Sequence, residues 1–203
     1  MTISDTQICN MALRGIGAKR INNLDESNSQ PEAIECRTFY DHVRDSLLRS
    51  YDWPFARTRI QLSEDTETPD FEYDHQFYLP SNFLRLRTYY DTDAGYDESS
   101  RLWKIEGRKV LTNYESIYLR YIKKITDPLE FDPLFTELFV CRLQVKLLYS
   151  LAGIENVGST RDRLNQEMQS AEARARVVAA AESDPHDKPD YIRSQFTDDL
   201  LVI

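Results

Sequence analysis

The residues able to do acid–base, nucleophilic or metal chemistry are few and scattered. His42, His75 and His186 stand far apart, each beside a polar or proline neighbour and without a partner set at zinc-ligand spacing, so they read as surface histidines. Cys9, Cys36 and Cys141 are odd in number, widely separated and embedded in apolar helical patterns, which makes them core thiols. Gly15-Ile16-Gly17 follows a helical pattern and lacks the downstream glycine and lysine with which a loop cradles a polyphosphate; it reads as a helix cap. No serine occupies the turn of a nucleophile elbow. Asp91, Asp93, Asp97 and Glu98 have the acidity of a calcium loop, but its fixed glycine and terminal bidentate glutamate are misplaced. Two carboxylates from separate loops suffice for hydrolysis, yet nothing in the sequence selects a pair. The expectation is a protein without catalytic residues, cofactor or metal.

Charge narrows the partners. A net charge of −9 over 203 residues argues against an outer surface that grips phosphate backbones, since nonspecific nucleic-acid affinity comes from clustered lysine and arginine. The acids are uneven: residues 61–100 carry ten of them against Arg85 and Arg87, whereas residues 101–126 carry seven bases against Glu106 and Glu115. Surfaces built to meet other proteins would produce such a split, and so would an acidic loop lying beside a basic strand face. Hydrophobic residues, 41% of the chain, support a substantial core. No apolar run approaches the roughly 20 residues a bilayer span needs, so no membrane partner is expected. Met1-Thr2-Ile3-Ser4-Asp5 has neither the basic nor the apolar region of a signal peptide, and a cytoplasmic location is expected.

The elements that must present these surfaces run from helix to strand and back. Ser4 and Gln7 have capping-box spacing ahead of Ile8, Ala12 and Leu13, and Gly15 and Gly17 close this first helix. Asn22 to Gln30 is a polar loop. Pro31 suits the first turn of a second helix whose inward stripe is Ala33, Cys36, Tyr40, Val43, Leu47 and Tyr51. Pro54 restricts Trp53 to extended geometry and has no amide to continue a helix, so the chain turns there with Trp53 and Phe55 as apolar anchors. Helices before this corner and strands after it are expected to share one core. Six short strands, mostly antiparallel, follow between Arg57 and Ile122, the last three as a compact meander.

Asp132 then caps, and Pro133 opens, a helix that is apolar on almost every face from Leu134 to Leu151. A long amphipathic helix follows to about Glu182, with Leu164, Met168, Ala171, Ala175 and Val178 on one stripe. The fold class is α+β: a mostly α-helical bundle with an inserted antiparallel β subdomain and an extended C-terminal tail. Residues 1–56 are the N-terminal helical hairpin, 57–126 the β subdomain, 127–182 the helices completing the bundle, and 183–203 the tail. Pro185 and Pro189 forbid helix in this tail, and ordering it costs about 1–2 kcal/mol per residue in backbone entropy. Tyr191, Ile192, Phe196, Leu200, Leu201, Val202 and Ile203 cannot form a core of their own, so they are expected to order against another chain. Arg193 would supply a bidentate polar contact there.

A series of short motifs occurs in a fixed order. Asn10-Met11-Ala12-Leu13 lies in the first helix and Asp52-Trp53-Pro54-Phe55-Ala56 ends the second. Leu79-Pro80-Ser81-Asn82-Phe83-Leu84-Arg85, Gly107 to Asn113, Leu119-Arg120-Tyr121-Ile122, Phe131-Asp132-Pro133-Leu134-Phe135 and Tyr191-Ile192-Arg193 follow. From about residue 3 to 195 the chain thereby resembles the head-to-tail adaptor proteins of tailed bacteriophages, also called tail tubular protein A or portal-adaptor (head completion) proteins. The resemblance implies a helical bundle interrupted by a β subdomain and a homo-oligomeric, dodecameric ring beneath the portal protein. It implies a structural role in the virion neck, reached from the host cytoplasm during assembly. Such a ring extends the channel through which DNA passes without specific binding, and receives a downstream tail or nozzle protein. The acidic balance suits a channel that must not hold DNA. The family often has tryptophan before the tail arginine where this chain has Tyr191-Ile192-Arg193, which leaves open the pocket that the tail fills. A tail-tube or stopper component of different ring symmetry is an alternative reading. So is a small soluble hydrolase using carboxylates among Asp91 to Glu98.

Overall fold

The computed structural model describes residues 3–90, 103–151 and 157–183. These form an α+β chain of four α-helices and six strands, divided into a helical unit, Met1–Phe55 with Ile125–Ser183, and a β unit, Ala56–Lys124.

In the helical unit, α1 (Asp5–Gly15) starts at the expected capping box. The Gln7 amide donates to Ser4 Oγ at 3.3 Å and the Ser4 amide to Gln7 Oε1 at 3.1 Å, an arrangement worth about 1 kcal/mol. Gly17 adopts φ +74°, the left-handed conformation that lets the chain leave the helix without a Cβ penalty. Pro31 opens α2 (Pro31–Ser50), which buries Ala33, Cys36, Tyr40, Val43, Leu47 and Leu48. The Asp132 carboxylate accepts from the Leu134 and Phe135 amides at 2.8 and 3.1 Å and so caps α3 (Pro133–Leu151). This helix packs against α1, α2 and α4 (Val157–Ala181), which is why its sequence is apolar on most sides. Phe135, Leu138, Phe139, Leu143, Leu147 and Leu148 are buried along it, each contributing about 1.5–3 kcal/mol. The Tyr40 hydroxyl donates to Asp5 at 2.6 Å while its ring lies 4.9 Å from that of Phe139, so one side chain joins α1, α2 and α3.

On α4 the buried line is Leu164, Ala171, Ala175 and Ala179, and the small residues let it approach α3 closely. Val178, expected on this stripe, is 41% exposed. After Ala175 the inward line takes the four-residue step, which turns Val178 about 100° away from it. Tyr149, near the end of the helix read as apolar on almost every face, is also exposed.

The strands are β1 (Arg57–Gln61), β2 (His75–Tyr78), β3 (Phe83–Tyr90), β4 (Trp103–Glu106), β5 (Lys109–Thr112) and β6 (Tyr118–Lys123). They make two three-stranded antiparallel sheets, ordered β1-β6-β3 and β2-β5-β4. The expected meander therefore stops after one hairpin, β4–β5, whose turn holds Gly107 at φ +57°. As the third strand of a meander β6 would be an edge; in the centre of the other sheet its backbone is paired on both sides. The β unit packs a hydrophobic cluster of its own from both sheets, including Leu62, Phe77, Leu79, Val110, Ile117 and Leu119.

Candidate functional site

The corner after α2 is built from packed rings. Trp53 is 2% exposed, 5.2 Å from Phe135 in an edge-on contact, and Phe55 meets the same ring at 5.1 Å. Phe131 joins them from the turn before α3, 5.3 Å from Phe135. The Tyr51 hydroxyl donates to the Arg176 carbonyl at 3.2 Å, and the Arg176 guanidinium lies 5.3 Å from the Tyr51 ring, which fastens the corner to α4. What space remains beside Trp53, Pro54 and Phe55 is a crevice of about 30 Å³, large enough for water and too small for a ligand. Of the three residues expected as structural anchors, Trp53 and Phe55 pack on Phe135, and Pro54 lines the crevice beside them.

The groups singled out for chemistry are placed as follows. Cys9 and Cys36 are buried and hydrogen-bonded to one another; that bond first, then burial, pushes the Cys9 thiol far above its ordinary range. Cys141 is half-buried, and desolvation followed by the Glu137 charge raises its pKa as well. His42 is exposed. His75, read as a surface residue with no carboxylate partner, is half-buried with Nδ1 2.5 Å from Glu64 Oε1. The partner comes from the loop ahead of β2 and was hidden by its sequence separation. Among the described residues no group of three or more histidines, cysteines and carboxylates is placed to hold a metal ion. His186, Asp91, Asp93, Asp97 and Glu98 lie outside the described residues, as do Tyr191, Ile192, Arg193, Phe196, Leu200, Leu201, Val202 and Ile203.

The uneven charge is partly matched inside the β unit. Lys109 Nζ lies 2.7 Å from Asp65 Oδ2 and 3.9 Å from Glu67, and stacks over the Tyr78 ring at 4.8 Å. Gln76 Nε2 also donates to Asp65, at 3.0 Å. The Asp65 side chain is 6% exposed, and its hydrogen bond from Lys109 holds its pKa below the usual carboxylate range, while the same bond raises that of Lys109. Two acids of the loop ahead of β2 thus lie against one lysine of β5. Among the described residues two arginines are buried, Arg87 of β3 and Arg44 of α2; Arg44, 3% exposed, sits 2.8 Å from Asp41 and 2.9 Å from Asp45.

A surface that motif reading passed over lies on α1. Ile8, Cys9, Ala12 and Leu13 face inward, whereas Gln7, Met11 and Arg14, on the other face, help line an open groove of about 720 Å³. Asn10 builds its wall: Nδ2 donates to the Ile21 carbonyl at 2.9 Å and Oδ1 accepts from the Ile21 amide at 2.8 Å, which folds residues 17–20 back along the helix. The sequence signal was Met11, an apolar residue spaced at helical steps among polar ones; it is 42% exposed. The chain matches no family model and no curated protein.

Proposed function

We propose that the chain is a head-to-tail adaptor of a tailed bacteriophage, a structural subunit that forms a ring beneath the portal, extends the DNA channel and offers the attachment site for a tail or nozzle protein. The observation that carries this reading is the order of its motifs along the chain. Support comes from where two of them fall. Asp52-Trp53-Pro54-Phe55-Ala56 sits where the helical unit hands over to strands, and Phe131-Asp132-Pro133-Leu134-Phe135 where the chain has returned to helix. The α+β layout with an antiparallel insertion is the one the resemblance implies.

A closed ring of many subunits requires head-to-tail contacts between two different surfaces of the same chain, each stable contact burying more than about 1,000 Å². On this reading α1, α2 and α4 provide the flanks, and Tyr191, Ile192, Arg193, Phe196, Leu200, Leu201, Val202 and Ile203 engage the portal or the neighbouring subunit. The test is sedimentation of the purified chain with assembled portal rings from the same phage. Co-migration at micromolar concentration is expected, and separate migration would overturn the reading.

A further inference from the structure

The α1 groove has a composition that selects its occupant. Its floor is apolar, with Ile3, Met11 and Ala18, and its polar lining includes Gln7 and two exposed arginines, Arg14 and Arg20. Among the described residues neither arginine forms an ion pair. A trough with an apolar floor and two guanidinium groups fits an extended segment that joins apolar side chains to carboxylates. At the end of this acidic chain stands such a segment, Phe196-Thr197-Asp198-Asp199-Leu200-Leu201-Val202-Ile203, in which two adjacent aspartates precede four apolar residues.

We propose that the α1 groove of one subunit seats residues 196–203 of a neighbouring copy, with Asp198 and Asp199 meeting Arg14 and Arg20 and the apolar end lying over Met11. The choice of a neighbouring copy rests on the ring reading above and on the layout of the helical unit. There α1 and α4 each pack on α3 rather than on one another, so the tail leaves from α4 and the groove opens on α1. A donor surface and an acceptor surface on different helices are what a head-to-tail contact joins. Twelve residues, 184–195, separate the end of the described helix from the segment and reach about 40 Å when extended, which is ample to cross to an adjacent subunit.

The test uses the full chain with photoreactive benzoylphenylalanine in place of Phe196. Isotopically heavy and light preparations are mixed, irradiated and mapped by mass spectrometry. Adducts on the α1 peptide containing Met11, in mixed heavy–light pairs, are expected. Adducts confined to single chains would show the tail folding onto its own subunit and overturn the proposal, as would adducts mapping elsewhere or none at all. A second arm reverses charge with Arg14→Glu and Arg20→Glu, both on exposed side chains. The mixed-pair yield should fall about tenfold and recover when Asp198→Arg and Asp199→Arg are added; an unchanged yield would also overturn it. Native mass measured on the same samples separates the two readings. Rings without the α1 adduct sink only the groove assignment, whereas a chain that stays monomeric with and without portal sinks the adaptor reading.

Discussion

The indole Nε1 of Trp53 donates to the Leu47 carbonyl at 2.8 Å, so the residue that marks the end of α2 also satisfies a carbonyl of its last turn. Trp53 thus combines burial, ring packing on Phe135 and a helix-end hydrogen bond. Trp53→Ala should destabilise the helical unit by about 3–5 kcal/mol, and Trp53→Phe by about 1–2 kcal/mol, because Ser50 Oγ also donates to Leu47. Urea denaturation of the two variants checks this. A Trp53→Ala variant that unfolds like the parent but fails to assemble would make Trp53 an interface residue instead.

At the other end of the bundle α1 and α3 approach closely. A Cβ added at Gly15 would lie 2.0 Å from Gln144 Nε2 and 2.8 Å from its Cδ, and Gln144 is only 8% exposed. Gly15→Ala should therefore cost about 1–3 kcal/mol through overpacking, outweighing any gain in helix propensity at the last helical residue. Adding Gln144→Ala makes room. In a double-mutant cycle the pair should then be less destabilised than the sum of the single variants, by about 0.5 kcal/mol or more; strict additivity would show that the two residues do not press on each other.

The Asp65–Lys109 pair sets an acid dependence. Because the folded state lowers the Asp65 pKa from its ordinary 3.8, the carboxylate contributes stability above that value and loses it as pH falls through the lower folded value. Denaturation midpoints of the parent should decline below about pH 4, and Asp65→Asn should be less stable near neutrality with a flatter acid limb. Parallel acid limbs would mean that other carboxylates set the decline. At the alkaline end the raised Lys109 pKa has the opposite sign: its contribution is complete below 10.5 and fades as pH rises through the folded value.

Thiol labelling reports the placement of the cysteines. With its pKa raised and its side chain buried, Cys9 should resist iodoacetamide at pH 8, and buried Cys36 likewise. Half-buried Cys141 should react slowly, and all three should react at once in denaturant. Peptide mapping after timed labelling reads the order; rapid native modification of Cys9 would contradict the packing of α1 on α2.

Much of the helical unit was legible because its signals are local. Ser4 with Gln7, Pro31, Pro54 and Asp132-Pro133 each act within a turn of where they stand: α1, α2 and α3 start at the first, second and last, and α2 ends at Ser50, just ahead of Pro54. The sheets were harder, since β6 chooses partners by burial on both sides rather than by proximity to β5, and turn chemistry says nothing about that choice. The Glu64–His75 pair and the α1 groove were illegible for a related reason. Each is made by chain segments brought together from outside one helical or strand repeat, and the Asn10–Ile21 clamp that shapes the groove spans eleven positions. Val178 was misplaced because a three-residue and a four-residue step look equally good along an alanine-rich stripe.

Native mass spectrometry of the chain, alone and mixed with portal rings, addresses the proposed adaptor role most directly. A ring-forming adaptor of 23.8 kDa subunits should add the mass of about twelve copies to each portal ring, in line with closed heterologous assembly. A chain found only as monomer or dimer, with portal present at concentrations well above those of assembly, would contradict it.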